Sequence, residues 1–324
     1  MVVGVVVVVL ALVVGAVVVR NLRNDAAQAA CAKSAQVVVA VPNELVPLTS
    51  RAVRTMGTPA GVSDRGCLTL DVLGLDASSA VAQMAGQAAG GSTVWILQSR
   101  EQLPAGSSTV RVLGSAASTP VVVVRSHRSA RGRPSTWTKA MSSAGFVLPD
   151  PVQDPASWMT IGALADEHGS PTSRRRLVDR VIAAQIARFR FVPDAVELLG
   201  RAVVYSRNAL VIPIPEQQYI AVSTRHASWQ LDVTVPADGT VFLDYPVVVR
   251  TDTGPTAAAV AQQLVRYFAS SNGQTALGAA GFRNAAGDVL NARSLTGTLR
   301  RLRMPPATAE ISTWRKAQTA ASSS

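Results

Sequence analysis

The feature that most constrains this chain is its first segment. Residues 2–19 carry no charge, and only Gly4 and Gly15 interrupt a run of valine, leucine and alanine. As a helix these eighteen residues span about 27 Å, close to the thickness of a bilayer core. Valine is a poor helix former in water, but in lipid the backbone must satisfy its own hydrogen bonds, which forces a helix. A buried strand is the poorer alternative, since nothing surrounds both faces of so long a run at the N-terminus. A cleaved signal peptide is the stronger one, but its apolar part is usually about 7–15 residues. The small residues Ala26, Ala27, Ala29 and Ala30 also lie several positions downstream. An uncleaved membrane anchor over 1–19 is therefore expected.

Arg20 and Arg23 follow the span and, by the positive-inside rule, would hold the bulk of the chain in the cytoplasm. The cysteines argue for the other side. Cys31 and Cys67 each precede a strand-like run, at 36–41 and 68–73. If those strands are neighbours in one sheet, the two sulfurs could meet, and a disulfide needs an oxidising compartment. Two unpaired thiols are the alternative. The expected location is the cell membrane, single-pass, with the bulk extracytoplasmic.

Downstream of an Ala-rich spacer at 20–34 the chain has a βαβ rhythm. Strands are expected at 36–41, 68–73, 92–97, 120–125, 210–214 and 242–249, the last broken by Pro246. Helices are expected at about 43–55, 76–89, 135–143, 157–168, 176–189, 194–205 and 256–271. The last carries Val260, Leu264, Val265 and Phe268 at helical spacing. Strands alternating with helices predict an α/β fold with a parallel sheet covered on both faces.

The net charge of +11 is local. Residues 125–139 hold five basic and no acidic side chains, while 174–190 and 291–324 each hold six basic and one acidic. These runs contain few aromatics and no recognisable nucleic-acid motif, so solvated surface facing an anionic envelope is expected, with no nucleic acid as partner. Catalytic signatures are missing too. There is no GxSxG, no phosphate-binding loop, and no metal-ligand spacing among His127, His168 and His226. An enzyme is not expected, nor is a metal or a cofactor.

Asn43, Ser78, Ser79 and Ser157 stand at strand-to-helix junctions. There the unpaired N–H groups and the helix dipole favour an anion or a polar ligand. Plain N-capping explains each one singly. As a set they fit the crevice at the strand C-termini of an open α/β sheet.

The order of segments resembles the type 2 periplasmic or extracellular solute-binding proteins. It is closest to the actinobacterial membrane-anchored forms fused to a von Willebrand factor type A domain. The matching pieces are VVVAVPNEL at 37–45, DASSAVAQM at 76–84, STVWILQS at 92–99, STPVVVV at 118–124, DPASWMTIGALA at 154–165, PEQQYIA at 215–221, DYPVVV at 244–249 and the stretch 268–282 into Gly281-Phe282-Arg283. The resemblance implies two lobes joined by a two-strand hinge. Lobe one would be 31–119 plus 246–290, lobe two 120–245, and 291–324 a basic tail. It also implies an interlobe cleft in which Asn43, Ser78, Ser79, Ser157 and Tyr245 bind a small polar or anionic solute.

Three departures from the family pattern bear on that site. Pro42 removes an N–H donor beside Asn43, Trp158 is bulky enough to occlude the cleft, and Glu216 near its rim would repel an anion. The DxSxS metal motif of the von Willebrand module does not occur in the sequence, so metal-dependent adhesion is not carried over. The expected function is a membrane-anchored, solute-binding-like protein. The alternative is a cell-envelope interaction module, with an envelope protein as partner, that keeps the fold but has lost its ligand.

Overall fold

A computed structural model describes residues 35–56, 68–87, 91–103, 108–126, 134–143, 145–167, 172, 176, 179–183, 192, 194–205, 210–295, 299–302, 316 and 319. The apolar segment 1–19, the spacer, Cys31 and Cys67 lie outside the described residues. Among those described, no helix is long and apolar enough to cross a membrane.

The first sheet has the order β2-β1-β3-β9-β4, with β1 at Ala35–Pro42, β2 at Leu68–Leu75, β3 at Thr93–Ile96, β4 at Val110–Ser115 and β9 at Pro246–Arg250. The valine run of β1 is apolar on both faces because both faces are covered. Val37, Val39 and Val41 enter a cluster with Val260, Leu264 and Phe268. Ala40 points the other way, into a cluster with Ala80 and Met84. These partners come from α7 (Pro255–Ala269) and α2 (Ala77–Gly86), which flank the sheet together with α1 (Val46–Thr55). Edge strand β2 alternates, and its Leu68, Leu70 and Val72 face the larger cluster.

The second sheet has the order β6-β5-β7, where β5 is Thr119–Ser126, β6 is Val211–Pro215 and β7 is Leu231–Thr234; the short β8 (Phe242–Leu243) also pairs with β5. Strand β5 repeats the two-faced pattern. Val121 and Val123 join the cluster that continues from lobe one, while Val122 and Val124 pack with Leu198, Leu199, Ile212 and Ile214. Fully burying one such side chain stabilises by roughly 1.5–3 kcal/mol. Helices α3 (Trp137–Ser142), α4 (Pro155–Glu167), α5 (Ala195–Tyr205) and α6 (Glu216–Arg225) complete this lobe. Trp137 is fully buried, and its indole N–H donates to the Gly239 carbonyl at 2.9 Å.

The expected all-parallel sheet is corrected. Strands β2, β1 and β3 are parallel, but β9 runs antiparallel to β3 and β4, and β5 pairs antiparallel with β6, β7 and β8. The chain leaves lobe one after β4 and re-enters it on β9, and a returning strand can run against its neighbours. The two crossing segments touch, with the Ala116 N–H donating to the Tyr245 carbonyl at 2.9 Å. Strand 242–249 is broken at Asp244-Tyr245, just before Pro246. Tyr245 adopts a positive φ of 37°, which a non-glycine residue enters only when its surroundings hold it there.

After α7 and α8 (Ser271–Ala279) the chain returns to lobe two. Gly281, at φ 84°, makes the turn; a Cβ there would lie 3.3 Å from Ile220 of α6. Residues 291–295 and 299–302, within the stretch expected to be a basic tail, continue along lobe two. Leu295 packs against its core, Thr240 N–H donates to the Arg300 carbonyl at 2.8 Å, and Leu302 N–H donates back to Thr240 at 2.9 Å.

Strands β1 and β2, on whose adjacency the cysteine pairing depended, are parallel neighbours with Ala35 opposite Leu68.

Candidate functional site

A cleft of about 370 Å³ lies between the lobes. Lobe one contributes Asn43, Glu44, Leu75, Asp76 and Gln98 to its walls; lobe two contributes Asp154, Asp194, Gln217, Ala221 and Arg225, among others. Most of these positions are strand-to-helix junctions, because every such connection at this end of either sheet opens towards the gap.

Helix α2 begins after Asp76. Its Oδ1 accepts the Ser79 N–H at 2.8 Å and the Ser78 hydroxyl at 2.7 Å, and its Oδ2 accepts the Ser79 hydroxyl at 2.7 Å. The Ser78 and Ser79 hydroxyls, with the Ser79 N–H, lower the Asp76 pKa to about 2. Asp154 stands before α4, where its Oδ2 takes the Ser157 N–H at 3.0 Å and the Ser157 hydroxyl at 2.5 Å. Burial raises the Asp154 pKa to about 6 despite those donors, and nearby Asp194 pushes the same way. Asp194 itself stands before α5 and accepts from Val196 N–H at 2.8 Å and Glu197 N–H at 2.9 Å. Three helix N-termini at the cleft thus carry a carboxylate of the chain's own, which accepts from free N–H groups there and opposes the helix dipole.

At the floor, Glu44 Oε1 accepts from Gln98 Nε2 at 2.7 Å and from the Tyr245 hydroxyl at 3.0 Å. Tyr245 is wholly buried, edge-on to Phe282. Burial, then Glu44, raises its pKa well above the usual phenol value, so it remains a donor. Glu44 follows β1 and Tyr245 lies between β8 and β9, so this bond ties the cleft floor to one of the two segments that cross between the sheets.

The five sequence-predicted positions therefore fall as follows. Asn43 lines the cleft. Its side chain lies against Gly74, where an added Cβ would also come within 2.9 Å of Val46 Cγ2. The Ser78 and Ser79 hydroxyls bind Asp76, and fully buried Ser157 binds Asp154. Tyr245 supports the floor through Glu44 without forming part of the wall. Trp158 packs against the main core and does not line the cleft. Glu216, expected near the rim, is fully buried and paired with Arg283 at 2.7 Å, so its charge is neutralised inside the protein.

Sequence reasoning passed over Glu44, Asp76, Asp154 and Asp194 themselves. A signal was available, since in D-A-S-S, D-P-A-S and D-A-V-E the aspartate sits where an N-cap belongs. No group of three or more His, Cys, Asp or Glu among the described residues could hold a metal ion.

Neither a family model nor a curated protein matches the chain. Solved structures do. A ferric binding protein from Campylobacter jejuni superposes with a TM-score of 0.64 at 10% identity, covering 88% of this chain and 99% of its own. A periplasmic thiamin binding protein gives 0.62 at 13% identity, over 87% and 96%. The sulfate-binding protein of Mycobacterium tuberculosis gives 0.52 at 14%, over 79% and 93%. The chain thus has the fold of the periplasmic solute-binding proteins.

Proposed function

We propose that this protein is a membrane-tethered, extracytoplasmic solute-binding protein, not an enzyme, that closes two lobes around a small polar solute. The observation that carries the reading is the cleft itself: about 370 Å³, walled by polar side chains from both lobes and spanned at its floor by the hinge. That volume lies in the range that holds a small ligand. The apolar segment 1–19 supports the tether, as does the resemblance to actinobacterial envelope proteins, and the solute-binding fold supports the placement outside the cytoplasm.

A thermal-shift panel of oxyanions, sugars, amino acids and amines on the full-length chain in detergent tests the reading. A true ligand at 100 times its Kd adds about 2.7 kcal/mol. A panel with no stabilising member would favour the envelope-module alternative. The occupied Ser78, Ser79 and Ser157 hydroxyls support that alternative, and the open cavity with Trp158 outside it opposes it. Export also predicts a Cys31–Cys67 disulfide, visible as one linked peptide in non-reducing mass spectrometry. Its reduction should cost about 4 kcal/mol for a loop of this size.

A further inference from the structure

We infer that the solute in this cleft is a small organic cation carrying N–H donors, an ammonium or guanidinium compound, rather than an anion. The inference rests on the solute-binding reading of the same cleft and narrows it.

Four carboxylates on four separate elements face the cavity, Glu44 and Asp76 from lobe one and Asp154 and Asp194 from lobe two. Among the described residues lining it, Arg225 is the one cation. An anion entering the cleft would meet this field with Arg225 as the one described cation to offset it, and it would find the Ser79, Ser157, Val196 and Glu197 N–H groups at three helix N-termini already taken by Asp76, Asp154 and Asp194. Those donors are what an anion needs from such a fold. A cation meets the opposite situation. Among the described residues, the second oxygens of Glu44 and Asp194 accept no hydrogen bond, so each keeps its acceptor capacity for the ligand. Cleft closure would bring carboxylates of both lobes onto one positive charge, which rewards the closed state.

The cavity wall also separates kinds of cation. Among the described residues no aromatic side chain lines it, so those residues give a quaternary ammonium, which depends on aromatic faces, nothing to stack on. A bare metal ion lacks a three-residue ligand set among the described residues. Carboxylate and side-chain amide acceptors beside apolar surfaces such as Leu75 and Ala221 suit a hydrogen-bonding head on a short carbon chain.

The test measures melting temperature and Kd at pH 7.5 on the full-length chain in detergent. The probes are agmatine, cadaverine, arginine, tetramethylammonium, glucose and sodium sulfate. At least one of the three N–H cations should stabilise with saturation, while tetramethylammonium and sulfate should not. Asp194→Asn and Glu44→Gln keep the cap and the floor hydrogen bonds, and each should weaken that cation at least tenfold. If sulfate or glucose stabilises and no N–H cation does, the cation inference is overturned and the solute-binding reading stands. If no probe stabilises, both are overturned. If the cation binds but neither variant weakens it, the carboxylates are not its site and the inference fails.

Discussion

The cleft and the Glu216–Arg283 clamp both gather carboxylates at helix N-termini, and they reach opposite outcomes. In the clamp, Glu216 at the start of α6 is fully buried and accepts from Arg283 Nε and Nη2, at 2.7 and 3.0 Å. Leu295 N–H donates to Glu216 at 2.7 Å, and Arg283 in turn donates to the Leu295 and Gly287 carbonyls at 2.8 and 3.3 Å. Every charge is met from within the chain. In the cleft, Glu44, Asp76, Asp154 and Asp194 face one arginine. A carboxylate supplied with its own cation is structural; the same group left short of one is a demand on something outside. The first three residues of α6 show the contrast along a single helix, with Glu216 turned to the clamp and Gln217 and Gln218 lining the cleft.

The comparison can be broken at several points. The largest effect is expected for Arg283→Met, which leaves the Glu216 charge buried without a cation. The loss should be about 3–5 kcal/mol by urea denaturation, and adding Glu216→Gln should recover much of it. An unchanged midpoint would show that the clamp does not hold the segment after α8 against α6.

Asp154→Asn should act in the opposite sense. The Asp154 carboxyl has a folded-state pKa raised from 3.8 to about 6, so the folded protein binds the extra proton between those values. Its contribution to stability is fullest below pH 3.8 and is lost as pH rises through about 6. The asparagine variant keeps the cap and should lose this dependence, becoming more stable than the parent above pH 6. Cation binding runs the other way and should strengthen in the parent over the same rise. Burial sets the Asp154 midpoint, with Asp194 adding to it; Tyr245 feels the Asp154 charge, and Glu44, Asp76 and Arg225 are the other charged groups lining the same cleft. Denaturation and titration series from pH 4 to 8 check both.

Tyr245→Phe removes one bond to Glu44 and should cost about 0.5–1.5 kcal/mol. The smaller hydrogen-bonding role would be refuted by a loss above about 3 kcal/mol, which would point to the strained backbone instead. Asp76→Ala should cost about 1 kcal/mol through the lost cap, and Asp76→Asn a fraction of that. Because the Asp76 pKa is depressed to about 2, its stabilisation is present above pH 3.8 and is lost as pH falls toward 2. The alanine variant should therefore converge with the parent in acid.

Much of lobe one was legible in the residues. The valine run of β1, the helix after Asp76 and the stripe of α7 each carry a local pattern strong enough to name the element. Strands β4 and β7 and helices α6 and α8 were not seen. The two strands are short, with half-buried rather than strictly alternating positions, and α8 directly continues α7 through Ser270. For the site, the residues pointed to four helix-start positions, Asn43, Ser78, Ser79 and Ser157, and the three serine hydroxyls are bound to aspartates of the chain itself. Serines two and three residues into a helix look like ligand donors until the aspartate before them is seen to hold their protons.

What the sequence determined by itself is local: which runs are strands or helices, where a membrane-length apolar segment stands, and that the basic charge gathers in three stretches. Those properties depend on near neighbours along the chain. Tertiary structure alone decided that β9 returns antiparallel, that Glu216 meets Arg283 across 67 positions, and that carboxylates 150 positions apart share one cavity. Charge acts through space, so whether a carboxylate is a cap, half of a clamp or the wall of a binding site depends on which distant groups folding brings beside it.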